Sequence, residues 1–334
     1  MRNDSLAFTT PAGGRRWQRW LIFSPPARIA IFTTVFLLLS TVLAIPVHAV
    51  MGRPVMLAPM TRTWLYLLTF VVPALSAYLF LVRVIERRVP GELALRGLLP
   101  WSIAGMLGGA LLFSTVVAVL WLLGSYHVTG VNPDTDWLPS LLLVGLGAGI
   151  DEEILFRGVL FRVVEEGLGS WIALVFSALF FGVAHLRNPG ATLWSSAAIA
   201  IEAGLLFGLL YHVTRSLYLC MGVHAAWNFM QGTVYGIPVS GIPADGWLIS
   251  TRNGPDWLSG GTFGAEASVV ALCVCSLCSV ALLRVALRRG SIVPWGRREP
   301  MLTALLPSQT PQLTAGFDSA PRHRIQRKLF SDPR

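Results

Sequence analysis

The sequence predicts an all-α, polytopic membrane protein of about eight transmembrane helices, and three observations carry that prediction. Of 334 residues, 54% are hydrophobic and only 13% charged, about half the charged share of an ordinary soluble domain. Mean hydropathy is +0.63. Apolar runs of spanning length recur along the chain near 29–46, 64–84, 101–123, 137–163, 169–186, 191–213, 215–231 and 265–284. Disorder, a collagen-like fibre, a disulfide scaffold and a cytosolic enzyme are excluded by the same numbers. Cys220, Cys273, Cys275 and Cys278 all lie inside apolar runs, which marks them as packing thiols rather than a bridge or metal framework.

The first run follows a basic leader and ends in Val47-His48-Ala49. Leader and apolar core are both too long for a signal peptide, so a retained helix is expected. With the N-terminus inside, alternate loops divide the Arg and Lys residues 21 to 4 in favour of the cytoplasmic set. That imbalance predicts a cytoplasmic-membrane protein with both termini inside, and hence an even number of helices. The net charge of +9 is then topological information and calls for membrane lipid, with no nucleic-acid partner. Residues 1–27 and 290–334 read as basic, disordered cytoplasmic tails flanking a membrane domain over 28–289. The stretch 232–264, with Gly, Pro and two Trp, is long enough to cap the outer face and carries no chemical motif.

The fourth run contains Asp151-Glu152-Glu153-Ile154-Leu155-Phe156-Arg157. Each mid-bilayer charge costs roughly 2.5–3.5 kcal/mol, so adjacent carboxylates need partners or a wet cavity. Glu153 and Arg157 are four residues apart on one helix face and can neutralise each other. Glu152 is turned about 100° away, which leaves it as the working carboxylate. The fifth run ends in Phe181-Gly182-Val183-Ala184-His185, and the seventh holds His224-Ala225-Ala226-Trp227-Asn228. Both pairs have i,i+4 spacing and so form one compact patch per helix. A single intramembrane histidine is usually a satisfied packing residue. A Glu, two His and an Asn on three helices are instead the parts needed to activate a water and hold an oxyanion.

Gly105 and Gly109, Gly145 and Gly149, and Gly204 and Gly208 have small-xxx-small spacing, which predicts close helix contacts. Glu202, in the sixth run, either lines the same cavity or pairs with Arg215 or a backbone donor. His48, His127, His212 and His323 are given no role.

In this order, Glu152-Glu153-x-x-x-Arg157, Phe181-x-x-x-His185 and His224-x-x-x-Asn228 resemble the CPBP family, the CAAX prenyl endopeptidase and bacteriocin-processing group also called Abi. The resemblance spans a protease core at about 137–231. It implies an intramembrane endopeptidase that hydrolyses a peptide bond in a membrane-anchored or lipidated peptide. Carried over by position, Glu152 is the general base for a water held with His185, His224 and Asn228 bind the oxyanion, and Glu153, Arg157 and Phe181 support them. A zinc ion held by Glu152, His185 and His224 is chemically reasonable. A metal-free Glu mechanism fits equally well and is preferred here, there being no His-Glu-x-x-His.

The family's eukaryotic substrates are prenylated CAAX proteins. Twenty-five Arg against one Lys points to a GC-rich bacterial genome, where a bacteriocin-like leader or a regulatory membrane protein is the expected substrate. The alternatives are a non-catalytic scaffold or self-immunity protein of the same fold, and a proton-coupled transporter, for which repeats and broken-helix signals are missing.

Overall fold

The computed structural model describes residues 14–51 and 57–295. Expectations for Arg53, His323 and the stretches 1–13 and 296–334 lie outside these residues, as does the side chain of His48.

Helices dominate the described residues. We number the long ones α1 (Pro25–Met51), α2 (Pro59–Ile85), α3 (Leu98–Leu122), α4 (137–168), α5 (Ser170–His185), α6 (Leu193–Thr214), α7 (217–234) and α8 (Val269–Arg288). Their positions follow the apolar runs, and the all-α, multi-pass class holds. Five of them (α1, α2, α3, α6 and α8) are long and apolar enough to cross a membrane by length and composition. The expected eight crossings are met on these criteria only for those five. α5 is apolar but has 16 residues, while α4 and α7 carry the charged and amide side chains that lower their hydropathy.

Polar contacts gather the helix ends. Arg28 at the start of α1 donates to Glu86 after α2 at 3.0 Å and to Glu166 late in α4 at 2.8 Å. Arg162 also reaches Glu86, at 2.9 Å, and Arg88 bonds both Glu86 and Glu92. His212, Glu165, Arg215 and Ser291 form a second cluster. These groups bring the starts of α1 and α5 and the ends of α2, α4, α6 and α8 to one end of the bundle, and an Arg-rich loop chemistry collects there.

The opposite end carries the one departure from all-helix expectation among the described residues. Strand β1 (Tyr126–Val131) pairs antiparallel with β2 (Leu248–Arg252), so the segment after α7 is a folded cap rather than an open loop. Alternation in these short stretches is weak, which hid them from the sequence.

Two stretches expected to be tail are partly folded. Arg16–Leu21 is helical, and Val293 accepts from the Ser170 backbone N–H while donating its own to Ser170 Oγ, at 2.9 Å each. Ser170 opens α5, where amide donors lack intrahelical partners, so this short clasp satisfies a helix end.

α7 is held between two glycine faces. A Cβ on Gly109 would lie 2.3 Å from the Val223 carbonyl oxygen, and one on Gly105 2.4 Å from that of Leu219. On the other side, Gly145 and Gly149 approach Ala225 and Met221 backbone atoms, where a Cβ would stand 3.1–3.2 Å away. Gly204 meets Ala178 of α5 in the same way, at 2.7 Å. Five of the six predicted glycines thus set backbone against backbone, while Gly208 meets only the Leu174 and Phe161 side chains, and the contacts place α7 with His224 and Asn228 in the middle of the bundle. Of the cysteines, Cys220 and Cys275 are buried, Cys273 is exposed and Cys278 is half-buried, and all are free thiols.

Candidate active site

Glu152 and Glu153 occupy the last turn of the α-helical stretch Ala148–Glu153 of α4, which has π-helical turns at Leu141–Gly147 and Ile154–Phe161 on either side. Such wider turns shift the facing of successive side chains and recur at functional sites. The 100° offset read from the sequence puts the two carboxylates in different surroundings. Glu153 is fully buried and its Oε1 accepts from Arg157 Nη1 at 2.9 Å and from His224 Nδ1 at 2.8 Å. Glu152 turns elsewhere, with 29% of its side chain exposed.

Glu152 Oε2 is 4.0 Å from His185 Nε2 and 3.9 Å from His224 Nε2, and it makes no hydrogen bond. Three helices separated by up to 72 positions therefore deliver three polar atoms to one point. The stagger needed to align them comes from the glycine contacts of α4 and α7.

The tautomers follow from the partners. His185 Nδ1 lies 2.8 Å from the Phe181 carbonyl oxygen, an acceptor only, so Nδ1 carries the hydrogen. Glu153 is ion-paired with Arg157 and hence ionised, so His224 Nδ1 donates as well. His185 Nε2 therefore presents a lone pair towards Glu152 Oε2, while His224 Nε2 presents an N–H in the protonated ring. A water at the usual hydrogen-bond distance of about 2.8 Å from these atoms spans the separations of 3.9–4.0 Å, donating to Glu152 and His185 and accepting from His224.

Phe181 packs against His185 with ring centroids 4.6 Å apart and lies under the Arg157 guanidinium at 4.8 Å. Arg157 also donates to the Ala203 carbonyl at 2.9 Å. Phe181 and Arg157 thereby fix His185 and Glu153 in place through contacts with one another. Asn228 Nδ2 donates to the Val144 carbonyl at 3.1 Å, which spends one amide hydrogen and leaves the second. Asp151, given no role from the sequence, accepts from Tyr66 Oη at 2.7 Å and from the Glu152 backbone N–H at 2.8 Å, pinning the turn that bears Glu152.

A cavity lies beside the histidines, bounded by His185, His224, Asn228, Glu202 and Glu266 among others. Space for water centres within it is about 20 Å³, against the 10–15 Å³ a single water needs. Glu202 takes the first of its two sequence readings: it lines the cavity. Arg215 pairs with Glu165 instead. Glu266 precedes α8 at a turn, outside any motif, and spacing gave no signal for it.

The donor types suit zinc, but their separation does not. Tetrahedral zinc with bonds of about 2.0–2.1 Å would bring ligand atoms to about 3.3–3.4 Å of each other, and among the described residues no His, Cys, Asp or Glu group has metal-holding geometry. As arranged, Glu152, His185 and His224 do not form a zinc site.

Residues 133–230 match a family model described as Type II CAAX prenyl endopeptidase Rce1-like. The comparisons with curated proteins and with solved structures give no match. The matched segment begins just before α4 and ends in α7, so it contains every residue of the ordered motifs. Over residues 133–230 this multi-pass membrane protein is similar to the CAAX prenyl endopeptidase family, the one those motifs resemble.

Proposed function

We propose that the chain is an intramembrane endopeptidase that hydrolyses a peptide bond in a membrane-anchored or lipidated peptide by a metal-free Glu mechanism. The observation that carries the reading is the unpartnered Glu152 Oε2 within 4.0 Å of both Nε2 atoms. A water there gives one proton to Glu152 while its remaining O–H stays hydrogen-bonded to His185 Nε2, and the resulting hydroxide oxygen adds to the scissile carbonyl. The oxyanion that forms is held by the free amide hydrogen of Asn228 and by His224 in its protonated form. Glu153 stabilises that imidazolium through Nδ1. Glu152 then returns its proton to the leaving amine, which balances the step.

Burial of Glu153 and Arg157 as an ion pair keeps a net charge from accumulating beside the reacting atoms. The Arg-rich end of the bundle faces the cytoplasm under the same proposal, since Lys and Arg are retained on that side. A bacteriocin-like leader or a regulatory membrane protein is the proposed class of substrate.

The test is proteolysis of a quenched, membrane-anchored peptide library in proteoliposomes, comparing wild type with Glu152→Ala and His185→Ala. Both variants are expected to lose cleavage by at least 100-fold, within the contribution of general acid–base groups. Cleavage unchanged in Glu152→Ala overturns the proposal. Metal content of the same preparation decides the chemistry: stoichiometric zinc would replace the metal-free mechanism, and none is expected.

A further inference from the structure

Among the described residues, buried carboxylates have basic partners with two exceptions. Glu86 is matched by Arg28, Arg88 and Arg162, Glu92 by Arg88, Glu153 by Arg157 and Glu165 by Arg215. Glu202 and Glu266 are each only 2% exposed, and among the described residues neither makes an ion pair. Glu202 Oε2 and Glu266 Oε1 also lack any hydrogen-bond partner. An unpaired buried charge is costly enough that such groups ordinarily find a cation or neutralise.

Both of these side chains line one cavity, and its other walls include His185, His224, Asn228 and Ser240. Glu202 comes from α6 and Glu266 from the turn before α8, so the chain brings them together from positions 64 residues apart, a convergence no local packing need explains. The cavity is not a metal site, because no group of three ligating side chains has the required geometry among the described residues. It has room for a water or the head of a primary ammonium.

We propose that Glu202 and Glu266 form a subsite for a primary ammonium group of the substrate, next to the bond that is cleaved. The subsite rests on the endopeptidase reading, because His185, His224 and Asn228 would hold the scissile carbonyl at its edge. It adds what the motifs leave open, namely selection by charge. A terminal carboxylate is repelled from this position, and a neutral side chain leaves Glu202 Oε2 and Glu266 Oε1 without a donor, the bonds from Ser240 and Gln231 falling on the other oxygen of Glu266. The ammonium comes either from a lysine side chain or from a free peptide N-terminus.

The experiment uses the full chain in proteoliposomes and a membrane-anchored Leu/Ala peptide with a single Lys, norleucine, Arg or Glu near its centre, each made with a free or an acetylated N-terminus. Cleavage is measured for wild type, Glu202→Gln and Glu266→Gln. Binding is measured separately in the Glu152→Ala background, which needs no turnover. The Lys peptide is expected to be cleaved, and bound by Glu152→Ala, at least tenfold better than the norleucine peptide. That advantage should fall to less than threefold when either Gln variant is introduced, with thermal unfolding little changed. If the advantage follows the free N-terminus instead of the Lys, the amine source is the terminus and the subsite stands.

Equal binding of Lys and norleucine peptides together with equal binding of their free and acetylated forms, or an advantage that survives both Gln variants, overturns the subsite, as does a preference for Glu. A Lys advantage in binding with no cleavage by any form keeps the subsite and removes the endopeptidase. Cleavage that depends on Glu152 but ignores both Lys and the N-terminal amine does the reverse.

Discussion

Glu153 Oε1 accepts two hydrogen bonds, from His224 Nδ1 at 2.8 Å and from Arg157 Nη1 at 2.9 Å. One oxygen thus ties α7 to α4 and fixes which nitrogen of His224 carries hydrogen. The adjacent Glu152 makes no such bonds from its carboxylate. Neighbouring acids of one type acquire different partners because the helix period sends them into different surroundings.

Substitution should separate the two acids. Glu153→Gln leaves Arg157 buried without a countercharge, and loss of one partner of a buried pair costs about 3–5 kcal/mol. Thermal unfolding in detergent is expected to drop sharply, and cleavage with it. Glu152→Gln breaks no side-chain hydrogen bond, so its stability should stay within about 0.5 kcal/mol of wild type while cleavage is lost. Equal destabilisation by the two variants would contradict this division.

Arg157 should not be replaceable by Lys. Its guanidinium donates to Glu153 and to the Ala203 carbonyl while lying over Phe181, a planar set that one ammonium cannot reproduce. Arg157→Lys is expected to lower cleavage at least tenfold, with a melting temperature below wild type. Phe181→Leu should show a smaller effect of the same sign, since only the ring contacts are lost. Full activity in Arg157→Lys would show that charge alone suffices.

The i,i+4 spacings in the sequence reported the Glu153–Arg157 pair and the Phe181–His185 contact because both are local to one helix. The His224–Glu153 hydrogen bond joins positions 71 apart, and nothing local encodes which of two neighbouring acids a distant histidine will find. Glu266 was invisible for a related reason: it lies at a turn without periodicity, and its importance comes from facing Glu202. Apolar runs located the helices closely. They could not say which runs would meet the length and composition of a spanning helix, since the same polar residues that mark the site also interrupt hydropathy in α4 and α7. The β1–β2 cap escaped notice because two short strands at the bundle end bury little and alternate weakly.

Glycine spacing gives a test with an internal control. A methyl at Gly109 would meet the Val223 carbonyl oxygen at 2.3 Å, backbone that cannot move without displacing α7 and its next residue, His224. Gly108 has nothing within 4 Å of such a methyl. Gly109→Ala is expected to cost about 1–3 kcal/mol through overpacking and to reduce cleavage at least tenfold. Gly108→Ala should be neutral or slightly stabilising, as Ala is the better helix former. A Gly109→Ala variant with wild-type unfolding and cleavage would refute backbone contact between α3 and α7.

Acid should loosen the charged end of the bundle before it affects the apolar core. Glu86 lies just beyond α2; burial by itself would raise its pKa, but Arg162, Arg28 and Arg88 outweigh that and hold it down at about 2, against an ordinary 4.5. A carboxyl whose folded pKa is depressed gives stability that is complete above the unfolded value and is lost as pH falls through the folded one. Glu86 is therefore expected to contribute about 3 kcal/mol at neutral pH, declining from about pH 4.5 towards pH 2. Melting temperature in detergent, followed from pH 7 to pH 3, should be flat at first and then fall. Glu86→Gln should start lower at pH 7 and show a shallower acid limb, because the group that takes up the proton is gone. An acid limb of unchanged slope in Glu86→Gln would assign the loss to other carboxylates, Glu92 and Glu165 being next in line.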